Sequence, residues 1–265
     1  MKNPKYNVPT LRKAIRLFEL LSESAVPLGI SEISRRLGIN KVMIMKLVRT
    51  LADEGWLVES DGPKYSPSLR PFHFSSKMIN RMDAKVAAEE PLKVLWNATG
   101  LCSFLSILDG SLALCVIHLD AQTPARLGGQ VGGRYPLHST APGKVLLAHA
   151  GESFLARLAR EKGFTRFTEH TICSLRKLQA HLKKVREDGY AMDLEEAMEG
   201  GLCYAVPVYN YENAVVAAAG ITVLTLYCTP EKLVTELGPR VDETARTISE
   251  VLGWVGDARG GGSPS

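Results

Sequence analysis

The sequence predicts an α+β chain of two domains: three helices and a β-hairpin first, then a larger unit in which an antiparallel sheet is flanked by helices. Three observations carry this. Apolar residues recur at helical spacing between Leu11 and Leu51 and give way to two short β-type runs before Pro67. From Gly100 onward, β-type runs alternate with amphipathic stretches. The length of 265 residues exceeds the roughly 100 to 200 of one domain. The expected boundaries are a first domain over 1–70, a linker helix over 71–83, a second domain over 84–258, and a disordered Gly/Ser/Pro-rich tail over 259–265.

The first helix starts near Thr10, carries Leu11, Ile15, Phe18 and Leu21 on its apolar side, and ends before Pro27 and Gly29. Ser31 is the expected cap of a short second helix with Ile33 and Leu37 inside, and Gly38 is suited to a left-handed stop. Asn40 is placed to cap a third helix, Lys41 to Glu54, which buries Ile44, Leu47, Val48 and Leu51. Small Ser34, Gly38 in the turn and apolar Ile44 are what two helices crossing steeply require. Gly55 to Glu59 then reads as a strand, Ser60-Asp61-Gly62-Pro63 as a turn and Lys64 to Pro67 as the returning strand.

Three helices and a hairpin in this order make a winged helix-turn-helix, whose third helix enters the major groove of DNA while the hairpin lies along the backbone. Charge agrees. Residues 1–70 hold 12 Lys/Arg against 7 Asp/Glu, a net +5, and the remaining residues hold 20 against 21, a net −1. The positive excess therefore sits where phosphates would be met. With the apolar face of the third helix turned inward, Lys41, Val42, Met43, Met45, Lys46 and Arg49 are left to face double-stranded DNA, and Lys64 extends the set onto the hairpin. Lys41, Lys46 and Arg49 suit phosphates or guanine edges, whereas Val42 and Met43 suit thymine methyls, sugars or a partner subunit.

Between the domains, Phe72 to Ala98 is helical in composition and broken only by Pro91. Phe72, Phe74, Met78, Ile79 and Met82 carry more apolar surface than a solvated linker needs, which points to packing on a second copy in a two-fold dimer or on the chain's own domain. The second domain opens with a hairpin, Cys102 to Leu108 and Leu112 to Leu119 about Asp109-Gly110-Ser111. Helices follow Thr140, Glu152 and Ser174, the last stopped by Gly189. Strands Leu202 to Tyr209 and Val215 to Leu224 come next, then a final helix capped by Thr229 with Pro230 in its first turn.

An apolar share of 45% with 23% charged residues is far from the composition of a disordered chain. No stretch approaches the ~18 uncharged apolar residues of a membrane span, and Met1 to Tyr6 lacks the apolar core of a signal peptide, so a cytoplasmic protein without membrane contact is expected. The five cysteines are scattered, with no Cys-x-x-Cys and no zinc-finger spacing, so neither disulfides nor a metal or other cofactor is expected.

Three stretches carry a resemblance over essentially the whole chain. They are Ile30 to Lys41 with Leu51 to Glu59; Gly133-Arg-Tyr-Pro-Leu-His-Ser-Thr-Ala-Pro-Gly-Lys144; and Gly189-Tyr-Ala-Met-Asp-Leu-Glu-Glu196 followed by Gly201-Leu-Cys-Tyr-Ala-Val-Pro-Val208. In these the chain resembles the IclR family of bacterial regulators. The resemblance implies a GAF-like second domain that binds a small organic acid as effector, and either homodimers or homotetramers built from them. By position it assigns the effector pocket to Ala141, Pro142, Asp193, Cys203, Gly220 and Thr222. The helix start near Thr140 could add backbone N–H groups for a carboxylate.

Departures from that pattern are expected to matter. Val42-Met43 stand where the family usually has Ser-Thr and Lys46 where it usually has Arg, so operator contacts do not transfer. Pro142 removes a backbone N–H and Gly220 a frequent serine hydroxyl, which makes the pocket less polar or suited to a larger effector.

Cys203, Asp193 and His138 come from separate motifs and invite an enzyme reading, but a cysteine inside an apolar strand is ordinarily inert packing. No enzyme is expected, and His138 reads as a brace for its loop. Asp193 with Glu195 and Glu196 reads as a solvated acidic loop rather than a metal site. A stand-alone protein- or RNA-binding module lacks support, because no array of stacking aromatics accompanies the basic head.

Overall fold

A computed structural model describes residues 8–60, 62–73, 83–123 and 129–256. It divides into two compact units, Met1–Ile79 and Asn80–Ser265. Phe74, Met78, Ile79 and Met82 of the expected linker, Asp61 of the hairpin turn and the tail 259–265 lie outside the described residues.

In the first unit, α1 (Pro9–Ser22) begins with proline at its first turn, where a missing N–H costs nothing. Its buried residues are Leu17 and Leu21, while Leu11 and Ile15 are exposed. The expected stripe was therefore rotated by about a sixth of a turn: Leu17, with Ala14, Phe18 and Leu21, meets the core. The second helix, α2 (Ile30–Leu37), is capped by Gly29 with no side-chain hydrogen bond. Ser31 lies inside it and is not its cap. Gly38 takes the left-handed conformation at φ +66°, and the Ser34 hydroxyl donates to the Ile39 carbonyl at 2.6 Å, which ties the turn to the helix before it.

Asn40 caps α3 (Lys41–Asp53), its Oδ1 accepting the Met43 N–H at 2.9 Å. Ile44, Leu47 and Val48 are buried with Leu17, Leu21 and Ile33 in one cluster. Burying each such side chain is worth about 1.5–3 kcal/mol. The hairpin consists of β2 (Leu57–Ser60) and β3 (Lys64–Pro67), and β3 also pairs with β1 (Leu28–Gly29), a strand too short to show periodicity.

The second unit is built on a six-stranded antiparallel sheet: β4 (Cys102–Asp109), β5 (Leu112–Leu119), β6 (Arg134–Pro136), β7 (Ala191–Leu194), β8 (Gly201–Tyr209) and β9 (Val215–Leu224), in the order β6-β5-β4-β9-β8-β7. One face, with Leu105, Tyr204, Val206, Ala219 and Ile221, packs against α4 (Asp83–Thr99) and the C-terminal helix α9 (Gly238–Val251). Pro91 does not break α4. Ala87, Ala88, Leu92 and Leu95, on either side of it, are all buried, so packing holds both halves in line despite the lost hydrogen bond.

The other face, with Phe104, Cys115, Cys203, Ala205 and Ala218, packs against α5 (Ala141–His149), α6 (Glu152–Glu161) and α7 (Leu175–Asp188). Thr140 Oγ1 caps α5 by accepting the Gly143 N–H at 3.2 Å. Gly189 ends α7 at φ +79°. Thr229 caps α8 (Pro230–Lys232), and a π-type turn, Leu233–Leu237, leads from it into α9. Among the described residues no helix is long and apolar enough to cross a membrane.

Candidate functional site

Two places stand out, one in each unit. On α3 the residues turned from the core are Lys41, Val42, Met45, Lys46 and Arg49, all exposed. At 3.6 residues per turn they cover an arc of about 140°, with three cations around two apolar side chains. Met43 does not join them. It is half-buried against the helical core, because its position borders the arc of Ile44, Leu47 and Val48. Lys64 is exposed at the start of β3.

In the second unit a cavity of about 280 Å³ lies between the sheet and the start of α5. Cys102, Thr222, Cys203 and Asp193 form one transverse row across β4, β9, β8 and β7, and all four line it. Of the residues expected there, Pro142, Asp193, Cys203 and Thr222 do line the cavity. Ala141, the first residue of α5, is fully buried in the core and does not line it. Gly220 is covered: a Cβ there would lie 2.6 Å from Phe104 Cζ and 2.3 Å from the Tyr204 carbonyl oxygen. The aromatic ring fills the space that a serine would need.

The sequence reading missed Cys102, Phe104, Ser106, Cys115, His118, Tyr135 and Met198, which also line the cavity with Thr140 at the expected helix start. Alternation along β4 was the available signal, since 102, 104 and 106 must share a face.

Burial pushes the Cys102 thiol up to about 12 and Cys115 up to about 11, and raises Cys203 as well. The Thr222 hydroxyl donates to Cys203 Sγ at 3.4 Å. These thiols are neutral packing groups, unsuited to nucleophilic attack. His138 does not line the cavity. Its Nε2 is 2.8 Å from the Thr165 carbonyl, its ring stacks on Phe167, and burial lowers its pKa, in keeping with a brace.

Asp193 is the chemically distinctive lining residue. Its Oδ1 accepts the N–H groups of Glu196 at 2.7 Å and Ala197 at 3.3 Å. Burial raises its pKa to about 6, against the pull of the Lys144 charge. The expected solvated acidic loop is not there. Glu196 is buried and ion-paired with the fully buried Lys144 of α5, and the Thr168 and Thr171 hydroxyls donate to the Glu195 and Glu196 carbonyls at 2.6 and 2.7 Å. Among the described residues no three His, Cys, Asp or Glu side chains are placed to hold a metal ion.

Known proteins match both units. Residues 10–61 match the pattern described as IclR helix-turn-helix domain, and 76–250 that described as bacterial transcriptional regulator IclR C-terminal. The chain is 30% identical to the HTH-type transcriptional regulator XynR of Escherichia coli over 248 residues, 93% of this chain and 98% of the relative. It is also 30% identical to KdgR of the same organism over 249 residues, 94% of each. Among solved structures, IclR of Thermotoga maritima superimposes with a TM-score of 0.77 at 26% identity, covering 92% of this chain and 99% of that one. An IclR homologue of Microbacterium hydrocarbonoxydans complexed with 4-hydroxybenzoate gives 0.80 at 21%, covering 92% and 98%. These relatives are named as regulators and not as enzymes. With both of its units matched, the chain belongs to the IclR family of DNA-binding bacterial transcriptional regulators.

Proposed function

We propose that α3 and the β2–β3 hairpin bind a double-stranded operator, through Lys41, Val42, Met45, Lys46, Arg49 and Lys64, and that a small effector of organic-acid type in the second-unit cavity modulates this binding. The observation that carries the reading is the cavity itself, enclosed by Asp193, Cys203, Thr222 and Pro142 on a chain whose other unit is a DNA-binding head. The ligand-bound Microbacterium relative supports a small aromatic acid as the type of molecule.

The active form is inferred to be a homodimer, or a homotetramer built from two of them, working in the cytoplasm. Two copies present two recognition helices to a pseudo-palindromic site, and the exposed Leu11 and Ile15 of α1 offer apolar surface for such pairing. Control follows from linkage: an effector that fits one dimer geometry better shifts the population with that separation of heads.

Titration of the full chain with its own upstream intergenic DNA, in a salt series and with a panel of small organic acids, tests this. Binding that weakens steeply with salt and shifts with one acid is the expected result. Failure to bind DNA under every condition would overturn it.

A further inference from the structure

Among the described residues three buried side-chain polar atoms lack a hydrogen-bond partner: Ser139 Oγ, His181 Nε2 and Glu196 Oε2. The residues of the last two line one cavity, which lies between α7 and the edge strand β7 and shares no lining residue with the effector cavity. Its volume is about 220 Å³. One water needs only about 10–15 Å³, and an apolar cavity of about 150 Å³ holds a benzene ring. A buried polar atom without a partner is costly, so two of them at one such space point to an occupant that completes both.

The two atoms ask for different things. Glu196 is 6% exposed, and its Oε1 is taken by the Lys144 ammonium. The Leu194 and Ile172 N–H groups favour its charged form without bonding Oε2, which therefore calls for a donor. His181 stands on α7, and burial with the Lys144 and Lys184 charges lowers its pKa to about 4. Its ring is neutral at neutral pH, so Nε2 gives or takes one hydrogen bond according to tautomer. The Lys144 ammonium acts on both groups, bonding one and lowering the pKa of the other. No net charge is left in the walls, since Lys144 is paired with Glu196 and Lys184 with Asp188 at 3.9 Å. The other walls, Val185, Tyr190, Ala191, Met192 and Leu194, suit an apolar body.

We propose that this cavity is a second small-molecule site, which takes an uncharged molecule with an apolar body and an amide or hydroxyl group that donates to Glu196 Oε2 and also bonds His181 Nε2. An ion is disfavoured, because every charge in the walls already has its partner. The site does not depend on the effector reading above, although one loop joins the two cavities: Glu196 gives its own N–H to Asp193 Oδ1 at 2.7 Å. An occupant that holds Glu196 therefore steadies one wall of the effector cavity.

The test is calorimetric titration of the full chain with benzamide; with methyl benzoate, which keeps the ring and carbonyl but has no donor; and with benzamidine, which keeps the shape but is a cation. Benzamide is expected to bind about tenfold or more tighter than either. His181→Phe keeps a ring and removes Nε2, so it should fold as the parent does and weaken benzamide about tenfold. Glu196→Gln keeps an oxygen for Lys144 and puts an NH2 group in place of Oε2, so it should erase the preference for benzamide over methyl benzoate. Thr222→Val, in the effector cavity, should leave benzamide binding unchanged. Should Glu196→Gln fail to fold, the His181→Phe comparison decides alone. No binding of benzamide at millimolar concentration would leave water as the occupant and overturn the proposal. So would equal binding of benzamide and methyl benzoate, tighter binding of benzamidine, an unchanged affinity in His181→Phe, or a loss in Thr222→Val as large as that in His181→Phe.

Discussion

Lys144 of α5 and Glu196 of the loop after β7 form an ion pair closed off from water, with side chains 0% and 8% exposed and 52 residues apart in sequence. The pair fastens the helix that forms one wall of the cavity to the loop that supplies Ala197 and Met198 to another. Removing one partner of a buried pair strands the other charge, at about 3–5 kcal/mol. Lys144→Met should therefore lower the stability of the second unit by that order in chemical denaturation, and adding Glu196→Gln should recover most of the loss. A Lys144→Met protein within about 1 kcal/mol of the parent would mean that the pair holds nothing in place.

Asp193 should make stability fall as pH rises through weak acid. Its folded pKa is raised from 3.8 to about 6, mainly by burial. The stability it contributes is thus fully present below about 4 and lost by the time pH passes 6. The groups around it are the Lys144 charge and Glu196, whose own pKa burial also raises. His181, with a pKa lowered to about 4 by burial and by Lys144, acts in the opposite direction: its contribution is present above about 6.5 and lost as pH falls through 4. Asp193→Asn isolates the first effect. The variant should lose about 2 kcal/mol of the parent's pH dependence between pH 4 and 6.5, at 1.36 kcal/mol per pKa unit, as read from denaturation midpoints. Parallel curves for the two proteins would show that Asp193 titrates as an ordinary surface carboxyl.

Features governed by local chemistry were legible in the sequence. Asn40, Thr140 and Thr229 cap helices, Gly38 and Gly189 stop them in the left-handed region, and the Asp109-Gly110-Ser111 turn joins its two strands within a residue of expectation. What was illegible depends on distant partners. The two residues of β1 exist only because β3 runs beside them. Helix α4 passes Pro91 because the sheet holds Leu92 and Leu95. Glu196 reads as a surface acid until Lys144 is placed under it. In the cavity, Asp193, Cys203 and Thr222 were found through motif resemblance, and their row-mate Cys102 was missed because strand register is not visible before folding.

Gly220 is a fixed requirement of this particular cavity. A methyl group there would meet both Phe104 and the Tyr204 carbonyl, so Gly220→Ala should cost about 1–3 kcal/mol as overpacking does. Phe104→Ala in the same molecule should relieve only the aromatic part, leaving a coupling between the two sites that a double-mutant cycle would reveal. Strict additivity would mean that the ring moves aside freely and does not define the cavity wall.

The residues of α3 should divide by the physics of their contact. Each lysine or arginine on a phosphate releases counterions when DNA binds, so Lys41→Ala, Lys46→Ala and Arg49→Ala should each flatten the dependence of log affinity on log salt by about 1. If one of the three instead reads a guanine edge, its variant keeps the slope and loses about 1–3 kcal/mol of discrimination at one base pair. Val42→Ala and Met45→Ala remove no charge and should leave the slope alone, and any loss should depend on the base pair beneath them. Met43→Ala is different in kind. Its side chain belongs to the edge of the helical core, so it should lower the melting temperature of the head before it alters sequence preference. Electrophoretic mobility or anisotropy titrations at four salt concentrations, run beside thermal melts, separate these outcomes. A Met43 variant with native stability and altered base preference would return that residue to the DNA-facing set.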